Sequence, residues 1–113
     1  MLSRDPEIEV NAVGGKQSKI ASQITEVPPL ALIEVGAVMR EGRRCYPRES
    51  DGTPNWHKID YFANLDHALE HAANFLAERN KPDRDVAVLR EELSHFAARA
   101  MMSLEVFLLE SVG

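Results

Sequence analysis

Acidic and histidine side chains recur at helical spacing in several places along this 113-residue chain. In the segment from Ile59 to Asn80, His67, His71 and Glu78 project within roughly 40° of one another, at the border of an apolar face. Imidazole and carboxylate pointing the same way can bind a divalent ion or share a proton with water. The plainer reading of that group is a solvated polar face. Further on, Glu92, His95 and Arg99 stand at i, i+3 and i+7, flanked by Val88, Met102 and Val106. They can supply a metal ligand, a base and a phosphate clamp, or pair with one another as a structural network. Glu34 is the sharpest single residue, because it lies inside Leu30-Ala-Leu-Ile-Glu-Val-Gly-Ala-Val-Met39. A carboxylate in apolar surroundings needs a cation, a hydrogen-bond partner or a proton. A metal would meet that need, and so would a salt bridge from another helix.

Two loops add candidates. Between Tyr46 and His57, Tyr46 and Trp56 can stack on a base, Asn55 can hydrogen-bond to it, and Arg48 can meet phosphate. The same residues equally describe a loop pinned to the core by the one tryptophan. Gly14-Gly15-Lys16 is glycine-rich and basic, but it lacks the G-x-x-x-x-G-K-[ST] spacing of a P-loop. Cys45 is the only cysteine, so no internal disulfide can form, and a reducing, cytoplasmic setting is expected. Arg43 and Arg44 would lower its thiol pKa, but no triad-like context surrounds it.

The elements that must position these residues are helices. Pro28-Pro29 opens a first helix to about Glu41, with Gly42 as its stop. A second runs from about Ile59 to Asn80, with Phe62, Leu65, Leu69, Ala72 and Leu76 on its apolar face. Lys81-Pro82-Asp83 breaks it. A third runs from about Asp85 to Glu110, and its main face holds Leu89, Leu93, Phe96, Ala97, Ala100, Leu104, Phe107 and Leu108. Other apolar residues on that helix want a second partner, so three helices in a compact bundle are expected to be completed by homodimerisation. The expected fold is all-α, with an irregular N-terminal arm over 1–27 and a helical domain over 28–113.

Composition narrows the class. Hydrophobic residues at 44% and charged residues at 27% fit one globular domain. A net charge of -5 argues against a non-specific grip on a nucleic-acid duplex. No apolar run is long enough to span a membrane, and the first residues do not read as a signal peptide.

Taken in order, Gly14-Gly15-Lys16, the Pro-Pro-x-Ala-Leu-Ile-Glu-Val run through Glu34-Val35, Tyr46, Asn55-Trp56, His71 and His95 resemble the phage dATP/dGTP diphosphohydrolase-type (MazG-like) domain family. The resemblance spans about residues 12–109. It implies hydrolysis of a purine deoxynucleoside triphosphate to monophosphate and pyrophosphate with Mg2+ or Mn2+. It further implies Glu34, His71, Glu78 and His95 near metal, with Asp83 a looser match. His95 and Glu92 are then the candidate catalytic pair, and Lys16, Arg99, Tyr46, Asn55 and Trp56 the candidate substrate contacts. Glu70 stands before His71 where the family pattern leads one to expect Arg. Glu91, Glu92 and Arg99 surround His95 where a second histidine is expected. Alternatives from other classes are a protein that holds a nucleotide or nucleotide signal without cleaving it, and an all-helical interaction module.

Overall fold

The computed structural model describes residues 7–19 and 22–112. Residues 1–6, 20 and 21 of the expected arm, and Gly113 of the expected helical domain, lie outside the described residues.

Three helices carry the fold: α1 (Pro29–Cys45), α2 (Tyr61–Arg79) and α3 (Val86–Val112). The arm is less irregular than the sequence leads one to expect. It contains a hairpin of β1 (Glu7–Val10) and β2 (Lys16–Lys19), paired antiparallel with Val10 opposite Lys16. The Asn11 side chain builds the turn, accepting the N–H groups of Val13 at 3.1 Å and Gly15 at 2.8 Å. Gly14 turns the corner at φ +88°, a region open to glycine.

Local chemistry fixes the helix ends. Pro28 caps α1 and Pro29 occupies its first turn. Gly42 does not stop this helix as expected; the chain stays helical through Arg43 and Arg44 to Cys45. An interior glycine costs only about 1 kcal/mol, and two cations suit a helix C-terminus. The stop comes from Pro47, which forces Tyr46 out of helical geometry. Asp60 caps α2 by accepting the Phe62 N–H at 3.1 Å. Asp85 does the same for α3 through the Ala87 N–H at 2.9 Å.

The central element is α3, with α2 and α1 each running antiparallel along it, and a short 3-10 turn at Asn55–Lys58 also packs against it. The buried apolar residues are Val35, Ala68, Ala98, Met102 and Val106. On two helices the inward face differs from the expected one. On α2, Asn64, Ala68 and Glu78 are buried, while Phe62, Leu65, Leu69 and Leu76 are exposed. On α3, Ala98, Met102 and Val106 turn inward, and Leu93, Leu104 and Phe107 of the main apolar face are exposed. Small side chains let α2 approach α3 closely, so polar links rather than leucine rows line the seam between them. No helix among the described residues is long and apolar enough to cross a membrane.

Candidate functional site

The seam between α2 and α3 is joined by a ladder of polar contacts. Near its middle, His71 Nδ1 lies 2.8 Å from Glu92 Oε2, with both side chains about a quarter exposed or less. A carboxylate can only accept, so Nδ1 carries the hydrogen of this bond. The His95 ring stands 5.1 Å from that of His71, tilted at 39°. One helical turn further along α3, Arg99 donates to the Oδ1 of Asn64 at 3.1 Å, and Asn64 is wholly buried. The Ser103 hydroxyl then donates to the Tyr61 carbonyl at 2.6 Å. The expected row of Glu92, His95 and Arg99 is thus aligned on α3, and its members reach across to α2 rather than pairing with one another.

A groove opens on the other flank of α3, against α1. Glu34 is paired there with the Arg90 guanidinium, and its second oxygen lies 3.5 Å from the Ser94 hydroxyl. The Ser94 hydroxyl also lies 2.7 Å from the Arg90 carbonyl, one turn back on α3. The hydrogen bond from Arg90 holds the Glu34 carboxyl below its ordinary value of 4.5; desolvation opposes that shift, and the guanidinium charge and Ser94 support it. Glu34 therefore has a partner, but burial does not demand one: its side chain is part-exposed, and its apolar neighbours Leu30, Leu32 and Ile33 face solvent. The groove, about 560 Å3 in volume, continues past Glu34, Arg90 and Ser94 to Glu41, Glu91 and His95. His95 is the hinge of the arrangement, lining this groove while also facing His71.

The other candidates are placed elsewhere. Glu78 does not join His71. One oxygen accepts from Lys81 at 2.9 Å and the other from the Asp85 N–H at 2.8 Å, so the residue closes the α2–α3 turn. Those two bonds, the backbone one first, lower its carboxyl against an opposing desolvation. Lys16 is exposed on β2, and Tyr46 is exposed just past α1. Asn55 and Trp56 belong to the half-buried 3-10 turn, where the Trp56 and His57 rings meet edge-on at 4.4 Å. The loop before it is built rather than open: Arg48 donates to the Gly52 carbonyl at 2.6 Å and Lys58 pairs with Glu49 at 2.7 Å. In this segment Trp56 is half-buried and Tyr46 is exposed.

The sequence reading missed Arg90, Ser94 and Asn64. Arg90 and Ser94 share one face at i, i+4, a signal that could have been read; that the face meets Glu34 could not. Among the described residues, no group of three or more His, Cys, Asp or Glu side chains is arranged to hold a metal ion. Glu34, His71 and Glu78 therefore form no ready-made cage. Mg2+ commonly uses one or two protein carboxylates and completes its shell with phosphate and water. The acids along the groove suit that mode better than an all-protein site.

The groove sets carboxylates and a guanidinium beside an imidazole, all carried on the helices of an all-α domain. The chain belongs to the family described as dATP/dGTP diphosphohydrolase, N-terminal, which it matches over residues 11–111. That span runs from the turn of the hairpin almost to the end of α3. No curated protein and no solved structure gives a match.

Proposed function

We propose that the chain acts on purine deoxynucleoside triphosphates, cleaving them to monophosphate and pyrophosphate, with Mg2+ or Mn2+ accompanying the triphosphate. Family membership supports the substrate class. The structural observation that carries the reading is the position of His95, which lines the Glu34–Arg90 groove and faces the His71–Glu92 pair.

In this reading the phosphates lie along the groove. Glu34, with Glu41 and Glu91 near it, offers oxygen donors to the ion carried by the substrate. Arg90 exchanges its carboxylate partner for phosphate oxygens and offsets the charge that develops on the leaving group. Water adds at the α-phosphorus, the bond to the α–β bridging oxygen breaks, and His95 takes the proton of the water. Glu92 orients His71 beside His95. Tyr46, one turn past the groove residue Glu41, is the nearest of the loop aromatics along the chain to meet the base. Glu78 is left out of the metal set because it closes the α2–α3 turn and does not line the groove.

The test is incubation with dATP, dGTP and pyrimidine controls in Mg2+ or Mn2+, following pyrophosphate and monophosphate. Release from the purine nucleotides is expected, falling about 100-fold or more in Glu34→Gln and in His95→Ala. Binding without turnover is the second reading, favoured by the internal pairing of both Glu34 and His71. It would replace the first if calorimetry showed tight purine-nucleotide binding, no product from any nucleotide, and no effect of Glu34→Gln.

A further inference from the structure

Two apolar faces that neighbour one another in the chain stand open to solvent. One is on the hairpin. In its register Val10 stands opposite Lys16, so Ile8, Val10 and Lys16 share one face of the ribbon. All three are exposed, Ile8 at 66%. The other face is on α1, where Leu30, Ile33 and Ala37 follow at i, i+3 and i+7 and form a stripe along the helix. Leu30 is 78% exposed and Ile33 67%, while Ala37 lines the groove that holds Glu34, Glu41, Glu91, Arg90 and His95. The stripe is therefore the outer rim of that groove. Nine residues, 20–28, join β2 to α1, and the 3-10 turn Ile24–Glu26 among them buries no residue. The radius of gyration is 18.4 Å, against about 13 Å for a compact chain of this length. A molecule extended to that degree has room to fold one part onto another.

From this we infer that the hairpin is a lid. When a nucleoside triphosphate occupies the groove, the ribbon folds back, seats Ile8 and Val10 on Leu30 and Ile33, and sets Lys16 on the phosphates. The inference rests on the nucleotide reading of the groove given above. Size, tether and charge all favour the hairpin as the cover of this rim. Strands of this length extend about 13 Å, and Glu34 and Glu41 lie about 10 Å apart along α1. The tether reaches at most about 30 Å. It also makes the encounter intramolecular, so a small apolar contact suffices. The groove presents Glu34, Glu41 and Glu91 against the one guanidinium of Arg90, and a bound triphosphate adds further negative charge. The hairpin face brings the opposite sign in Lys16. Because Arg90 is already paired with Glu34, the lysine gains most once phosphate lies there, which makes closure depend on the ligand. A closed ribbon shields the phosphates from bulk water and strengthens the charge contacts beneath it.

Hydrogen exchange on the intact protein tests this, with and without Mg2+ and the α,β-methylene analogue of dATP, which cannot be cleaved between those phosphates. Calorimetry on the same samples reports binding separately. The hairpin amides are expected to exchange about tenfold more slowly once the analogue is bound. Val10→Asp and Ile33→Asp should each remove that protection while raising the Kd of the analogue by less than about tenfold. Both positions are exposed, and circular dichroism checks that the helices persist. Should Val10→Asp unfold the ribbon, Ile33→Asp decides alone, because it leaves the hairpin sequence untouched. Val10→Cys with Ile33→Cys, in a Cys45→Ser background, should form an intrachain disulfide under glutathione disulfide, and faster with the analogue present. Analogue bound with hairpin exchange unchanged would overturn the lid and leave the nucleotide reading standing. Protection that survives Ile33→Asp, or a disulfide rate indifferent to the analogue, would overturn it too. No binding of the analogue would remove the nucleotide reading and the lid together.

Discussion

α3 meets its two neighbours by different means. Toward α2 it uses a ladder of short polar contacts, His71–Glu92, Arg99–Asn64 and Ser103–Tyr61, interleaved with Ala68, Ala98 and Met102. Toward α1 it uses one part-exposed ion pair, the buried Val35, and a groove. Buried polar groups are costly to leave unpaired, so each rung on the α2 side admits only one register. Among the described residues no buried side-chain nitrogen or oxygen lacks a partner. A half-exposed ion pair stabilises little and can exchange partners at small cost. The seam is held by paired buried groups, and the groove by a pair that can open.

Substitutions can break that contrast, and the largest effect is expected inside the seam. Met102→Ala should cost about 3 kcal/mol through lost burial and a residual cavity, read from urea unfolding. Asn64→Leu should cost about 2 kcal/mol, since Arg99 loses its acceptor in a buried setting. A Tm unchanged by Asn64→Leu would show that the ladder does not set the register. Smaller again is the contribution of Glu78. Its carboxyl is lowered in the folded chain, so its stabilisation is present above the ordinary value of 4.5 and is lost as pH falls through the folded value. Thermal melts from pH 7 to 3 should therefore decline below about pH 4.5, and Glu78→Gln should flatten that decline. The smallest effect on stability belongs to the groove. Glu34→Gln should barely move the melting midpoint, yet it should abolish most purine-nucleotide turnover. A large destabilisation with turnover intact would reverse the roles assigned to seam and groove.

Much of this was legible before any coordinates. The 3.6-residue period and the Pro-Pro and Lys81-Pro82-Asp83 signals located three helices, because proline effects act within a few residues. A partner for Glu34 was expected from its apolar neighbours in sequence, although Leu30, Leu32 and Ile33 turn out to face solvent. The identity of that partner was not legible, since Arg90 lies 56 residues away and carries no local mark of the pairing. Glu78 looked like a companion of His71 because both face one way on α2, but the tight turn brought Lys81 and the Asp85 N–H to it first.

The acid-and-histidine face that opens the reading of this chain has accordingly been divided. The sequence determined which residues share a helix face, since helical spacing alone decides that: His71 with Glu78 on α2, and Glu92, His95 and Arg99 on α3. Only the tertiary structure decided which faces turn inward and which charges meet. It sent Glu78 to a turn, tied Glu92 to His71, gave Glu34 to Arg90, and left the leucine row of α2 uncovered. The reason is that inward facing depends on how closely two helices can approach. That distance is set by small residues such as Ala68 and Ala98 on separate helices, and no single stretch of sequence contains it.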